Sequence, residues 1–299
     1  MTPSKPSPTK DRARYNVGVA LARAALERRQ GAARSAAAAA VKGELIAEGD
    51  SWFDYPFFDV LEMLEDDGWK IESAAHKGDN LEDMAHDETQ LDRLARAFDK
   101  FRRHGVQPKA ILLSGGGNDI AGDEFPVLLN HAHSGLPVLN DQVVAGLIDT
   151  RLRQALASLL GTLATFSEKY FREAKPILVH GYGYPVPDGR GYLGGASVLP
   201  GPWLEPGFRK KGHFGRTPQQ QAQALRSNAA QLRKLIDRYN AMMAELASSL
   251  PKVHYVDLRG LLTSDPAKPY KKDWNDELHP TRSGFRRVAD AFEKVLATV

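Results

Sequence analysis

The chain has no cysteine among its 299 residues. That removes disulfides, thiolate metal sites, a cysteine nucleophile and lipid attachment through cysteine. It leaves the compartment open, because many exported proteins also lack disulfides. Long hydrophobic runs are missing too. None approaches the ~18–20 residues that a membrane span needs, so no span is expected. A strong excess of one charge is also absent: the net charge is +3, with 42% hydrophobic and 26% charged residues. Such a composition is ordinary for a soluble globular protein with a substantial core.

The charge is nevertheless unevenly placed. Residues 1–41 carry Lys5, Lys10, Arg12, Arg14, Arg23, Arg28, Arg29 and Arg34 against Asp11 and Glu27. This arm is strongly basic, and the remainder of the chain is slightly acidic. A secretory signal has an apolar stretch of ~7–15 residues near its start. Here the apolar piece, Ala36 to Ala40, is short, weakly hydrophobic, some 35 residues in, and followed by Lys42. The arm reads as a disordered start and an Ala-rich helix over roughly 11–41. A cytoplasmic location is expected, with an atypical export signal as the alternative. Spread positive charges are more often a solvated helix face than a nucleic-acid arm, so no nucleic-acid partner is expected.

Beyond residue 44, short apolar runs alternate with helical patterns. The runs are Leu45-Ile46-Ala47, Trp69 to Ser73, Ala110 to Leu113, Ile177 to Val179 and Val253 to Val256. Each is short and ends in Gly or polar residues, as buried parallel strands do. Between them, one apolar face runs through Val144, Ile148, Leu152, Leu156, Leu159, Leu163, Phe166 and Tyr170. A second helix is announced by Thr217-Pro218 with Gln220, a capping box with Pro at the first helical position. A third carries Phe285, Val288, Ala289, Phe292, Val295 and Leu296. The alternation predicts an α/β domain over 44–299, preceded by the 1–43 arm. Its architecture is a three-layer αβα sandwich on a five-stranded, mostly parallel sheet. Two connections, 119–140 and 181–217, are too long for plain linkers. The second holds ten glycines and five prolines. Both leave the edge where such folds bind ligands, so both are expected to wall a pocket.

The ends of the strands hold the residues of chemical interest. Gly49-Asp50-Ser51 follows the first strand, where a Gly permits a tight bend and a Ser is presented at the sheet edge. Alone, Ser51 equally suits a helix cap. Gly78 follows the second strand and can offer an open backbone N–H. Ser114-Gly115-Gly116-Gly117-Asn118-Asp119 follows the third. No Lys-Ser/Thr trails these glycines, which excludes a P-loop, and no glycine fingerprint follows the first strand, which excludes a dinucleotide site. Near the C-terminus stands Asp276-Glu277-Leu278-His279-Pro280. Residues three apart can face the same way, so Asp276 can hold one imidazole nitrogen and leave the other free. A capping Asp and a surface His is the plainer reading. Pro280 is expected to open the last helix.

Taken together, Gly49-Asp50-Ser51, Gly78, Gly115 to Asp119 and Asp276 to His279-Pro280 resemble the four blocks of SGNH (GDSL-type) hydrolases, in the family's order, over about residues 44–298. The resemblance implies a flavodoxin-like fold and a serine hydrolase acting on a small-molecule oxygen ester. It implies Ser51 as nucleophile, His279 as base and Asp276 as its orienting partner. It further implies an oxyanion hole from the Ser51 and Gly78 N–H groups and the Asn118 amide, and no cofactor or metal. One departure is the bulky run Trp52-Phe53-Asp54-Tyr55-Pro56, read as packing plus one pocket wall. Trp52, His180 and Trp203 are the expected substrate contacts. His131 and His133 form an H-x-H without further ligands at recognisable spacing, so no metal site is expected. An acyltransferase or thioesterase with the same residues, and a non-catalytic binding protein, are the alternatives. The oligomeric state is not legible.

Overall fold

The computed structural model describes residues 41–192 and 199–299. The proposed helix over 11–41 therefore lies almost wholly outside the described residues. Five strands form one parallel sheet in the order β2-β1-β3-β4-β5. They are β1 (Gly43–Glu48), β2 (Trp69–Ser73), β3 (Ala110–Leu113), β4 (Ile177–His180) and β5 (Val253–Val256). Leu45, Ile46 and Ala47 are all fully buried, as are all four residues of β3. Consecutive burial of this kind means that both sheet faces are covered, which is why these strands read as unbroken apolar runs.

The coverings follow from the topology. Strand order reverses between β1 and β3, so right-handed crossovers send helices to opposite faces. Helix α1 (Val60–Asp66) packs with the last helix, α8 (Arg282–Leu296). Helices α2 (Leu81–His86), α3 (Glu88–Arg103), α5 (Arg153–Phe171) and α7 (Pro218–Ser249) pack in series with one another. The capping box at Thr217 and Gln220 opens α7. Ahead of α5, α4 (Asp141–Ala145) runs into a π-helical stretch, Gly146–Leu152. The sequence explains this widening. Val144, Ile148, Leu152 and Leu156 recur every four residues, a step that overshoots an ideal α-helical turn by about 40°. A wider turn keeps all four on the buried side.

The two long connections pack on each other. A 3₁₀ segment, Gly122–Leu128, sits against α6 (Glu205–Lys210), with the Phe125 and Phe208 rings 5.1 Å apart. The Gly122 N–H donates to the Trp203 carbonyl at 3.1 Å and the Ala132 N–H to that of Lys211 at 2.8 Å.

Two local expectations need correction. Pro280 does not open the last helix. It pairs with Trp274 in an antiparallel bridge, and Thr281 caps α8 by accepting from the Gly284 N–H. Proline closes the turn here because it needs no N–H donor. Gly49 is also required for a reason other than backbone freedom. It is not among the glycines with positive φ. An added methyl there would lie 2.7 Å from Ser114 Cβ and 2.9 Å from the Ser114 carbonyl oxygen. Strands β1 and β3 come too close at that point for any side chain. Gly49→Ala is expected to destabilise the fold by about 1–3 kcal/mol. The check is urea unfolding, where the midpoint should fall with the slope unchanged; an unaltered midpoint would show that β3 yields.

Candidate active site

The turn after β1 is built around the Asp50 carboxylate, which is 2% exposed. Its Oδ1 accepts from the Trp52 N–H at 3.0 Å and from the Ser114 hydroxyl at 2.7 Å. Its Oδ2 accepts from the Tyr182 hydroxyl. The Asp50 carbonyl accepts from the Phe53 and Asp54 N–H groups. One buried anion therefore ties the ends of β1, β3 and β4 together. Ser51 projects from this turn, half-buried, at the point where strand order reverses. Open parallel sheets bind ligands at such a switch point.

The partner comes from the other end of the chain. The turn from Trp274 to Pro280 is closed by its bridge and by Asn275 N–H donating to the His279 carbonyl at 2.9 Å. It delivers His279 Nε2 to within 2.7 Å of Ser51 Oγ. His279 Nδ1 lies 3.0 and 3.1 Å from the two oxygens of Asp276, which is fully buried. An Nδ1–H shared with that carboxylate leaves the Nε2 lone pair to accept the serine proton. Asp276 Oδ1 also accepts the N–H groups of Leu278 and His279, each at 2.8 Å. Burial pushes the Asp276 carboxyl up. The hydrogen bond and charge of His279, with the two amides, outweigh that, and the group stays below the ordinary aspartate range.

Tyr55 completes the cluster. Its hydroxyl donates to Asp276 Oδ2 at 2.9 Å and accepts from Asn275 Nδ2 at 2.8 Å. Its ring stacks on His279 at 4.4 Å and 28°. The sequence showed only an aromatic run here. In the sequence Tyr182 is one aromatic of the long connection after β4, and in the structure its hydroxyl takes the Gly117 N–H at 3.1 Å and gives its own proton to Asp50.

The expected oxyanion groups are placed as follows. Asn118 lines the same cavity as Ser51. Its Nδ2 donates to the Asp79 carbonyl at 2.9 Å, which leaves a second N–H on the same amide. That bond sets the segment after β2 beside it. Gly78 has φ of +89° and open space where a Cβ would stand, although it is not part of the cavity lining. Behind Asn118, Asp119 accepts the Leu81 N–H at 2.8 Å, and burial pushes its carboxyl up to about 6.

The cavity next to Ser51 is small and apolar. Its volume is about 50 Å³, and Ile120, Ala121, Leu204, Leu235, Ile236 and Leu278 line it. Trp52 contributes one edge while remaining 3% exposed. The half-buried Trp203 stands edge-on to His279, with ring centroids 5.6 Å apart. His180 is not at the pocket. It is fully buried under the Ser51 turn, among Trp52, Phe53, Tyr182 and Phe292, with Nδ1 against the Gly181 carbonyl. Burial lowers its pKa and favours the neutral ring, so it supports the turn and cannot touch a substrate. His131 and His133 sit together in an exposed loop. Among the described residues, no group of three or more His, Asp or Glu is arranged to hold a metal ion.

The sequence matches the family model of the GDSL-like Lipase/Acylhydrolase family over residues 46–287. No curated protein matches it. Similar solved structures include a Streptococcus pneumonia protein, 16% identical, covering 96% of this chain and 99% of its own, with a TM-score of 0.48. Others are a family 3 carbohydrate esterase from Clostridium thermocellum (14% identity, 86% and 98% coverage, TM-score 0.40) and a catalytic mutant of an acetylxylan esterase from Geobacillus stearothermophilus (13%, 86% and 94%, 0.41).

Ser51 beside an unencumbered imidazole nitrogen should react with an organophosphonate probe. Tyr55→Phe keeps the stack on His279 and deletes only the hydroxyl that holds Asp276. Labelling of Ser51 is expected to slow by about tenfold, the scale of one hydrogen bond to a charged group. Time-resolved mass spectrometry of the labelled protein checks this; an undiminished rate would mean that Asp276 is held well enough without Tyr55.

Proposed function

The chain belongs to the GDSL-like Lipase/Acylhydrolase family, and on that premise we propose that it is a serine esterase cleaving oxygen esters of short acyl groups. The observation that carries the reading is the 2.7 Å approach of Ser51 Oγ to His279 Nε2, with Asp276 behind the ring. A serine hydroxyl is a poor nucleophile without an adjacent base, and this geometry supplies one.

In this reading Ser51 Oγ attacks the ester carbonyl carbon while His279 Nε2 takes its proton. The carbonyl oxygen becomes an oxyanion facing the Ser51 and Gly78 N–H groups and the free N–H of Asn118. The intermediate collapses, the C–O bond breaks, and His279 returns the proton to the leaving alcohol. Water then repeats the sequence on the acyl-serine and releases the carboxylic acid. Asp276 keeps its charge throughout and stabilises the imidazolium, since its hydrogen bonds hold it ionised. Each oxyanion donor typically contributes ~10²–10³ in turnover.

Cavity size supports a short acyl group. An apolar cavity of ~150 Å³ holds a benzene-sized ligand, and at about 50 Å³ this one has room for a short tail. The walls are aliphatic and suit a hydrocarbon tail, while Trp203 beside His279 is placed to meet the alcohol portion.

Hydrolysis of p-nitrophenyl esters from acetate to palmitate tests the proposal. The acetate or butyrate ester is expected to be the best substrate, with kcat/KM falling steeply beyond hexanoate. Ser51→Ala is expected to lose at least about 10³-fold in kcat. Full activity in Ser51→Ala would remove the nucleophile from the mechanism, and a preference for palmitate would remove the acyl cavity.

A further inference from the structure

Between Asp276 and His279 lies Glu277, a carboxylate that the steps above do not use. It is fully buried. Four backbone N–H groups converge on it. Oε1 accepts from Gly189 at 2.9 Å and Glu205 at 3.1 Å, and Oε2 accepts from Trp203 and Leu204 at 2.7 Å each. Its own N–H donates to the Arg190 carbonyl at 3.1 Å. The Arg190 guanidinium donates in turn to the Trp274 and Asn275 carbonyls at 2.8 and 3.0 Å. Both limbs of the long connection after β4 are thus fastened to the turn that carries His279.

The chemistry of this clasp asks for an anion. Burying a carboxylate is costly unless its lone pairs are taken up. Here all four neighbours are donors, so a protonated carboxyl would have nowhere to place its hydrogen. Burial pushes Glu277 up to about 7, and the four amides work against that rise. An ordinary loop anchor needs no buried charge. What this one orders is specific: Leu204 is part of the cavity lining, and Trp203 stands against His279.

We propose that Glu277 is a specificity-determining positioning residue, whose carboxylate sets the depth of the acyl cavity by fixing Leu204 in its wall and Trp203 beside His279. The inference rests on the esterase reading for its kinetic consequence, and on geometry alone for the placement of Trp203.

The experiment compares wild type with Glu277→Gln, which replaces one acceptor oxygen by an NH₂ facing two N–H donors. Two readings are taken: kcat and KM for p-nitrophenyl acetate and hexanoate, and acrylamide quenching of Trp203 fluorescence, isolated by subtracting a Trp203→Phe background. For acetate, kcat/KM is expected to fall about tenfold, mainly through KM, the scale of one lost charge-assisted hydrogen bond. Hexanoate should lose much less, so the acetate-to-hexanoate preference narrows several-fold, and quenching of Trp203 should at least double. A folded variant with unchanged preference overturns the specificity role, and unchanged quenching overturns the positioning role. If wild type hydrolyses neither ester, the esterase reading fails instead, and quenching alone decides whether Glu277 places Trp203. Should Glu277→Gln not fold, Glu277→Asp, with the charge kept but drawn back by one methylene, is read in the same way.

Discussion

The buried Asp50 carboxylate is the interaction on which the rest of the site depends. Three parallel strands end beside it, and each sends a group to it. These are the Trp52 N–H from the turn after β1, the Ser114 hydroxyl from the end of β3, and the Tyr182 hydroxyl from beyond β4. Strand ends are where a parallel sheet has spent its ladder hydrogen bonds, so loose carbonyls and amides collect there. An anion with three donors gathers them into one rigid junction. Ser51 is the next residue in the chain, and its position is inherited from that junction. The buried His180 under Trp52 and Phe53 adds apolar support from below.

The fold was legible because its signals were redundant. Ile46 and Leu112 belong to strands buried on both faces, and their continuous apolar runs of three and four residues are too short for helices and end in Gly or polar residues. The capping box at Thr217 named a helix start outright. The grouping of Ser51, His279 and Asp276 was legible only in conjunction, since Ser51 alone suits a cap and His279 alone suits the surface. The order of the blocks along the chain made the difference. Three features were hidden for identifiable reasons. Tyr55 looked like bulk because its value lies in a hydroxyl aimed at a residue 221 positions away. His180 ends β4 as a pocket residue would, yet the last residue of a strand can point into the core as readily as out of it. Pro280 reads as a helix opener in sequence, whereas the chain uses it to close a turn and Thr281 does the capping.

Charge is handled in one consistent manner around the site. Asp50, Asp276 and Glu277 are all buried, and each has its oxygens filled by named donors rather than by a Lys or Arg. At Asp50 and Glu277 these donors are amides and hydroxyls alone, which stabilise an anion without bringing a counter-charge, and at Asp276 the His279 ring joins them. The field near His279 is therefore set by fixed dipoles that need not reorganise when the imidazole takes up a proton. Flexible lysine or arginine partners would weaken that, because each can swing away or carry solvent in.

The contact between Ser51 and His279 spans 228 residues, and this has a consequence for the chain as it is made. All five strands and helices α1 to α7 lie before residue 257. The segment that brings His279 also completes the floor under Ser51: Phe285 packs on Trp52 with ring centroids 5.7 Å apart, and Phe292 on Phe53 at 5.9 Å. The last helix, whose Thr281 cap begins two residues after His279, therefore supplies the imidazole and the apolar support of the Ser51 turn together. A molecule clipped before residue 274 lacks both, so the Ser51–His279 contact reports the docking of α8 and not the assembly of the sheet alone.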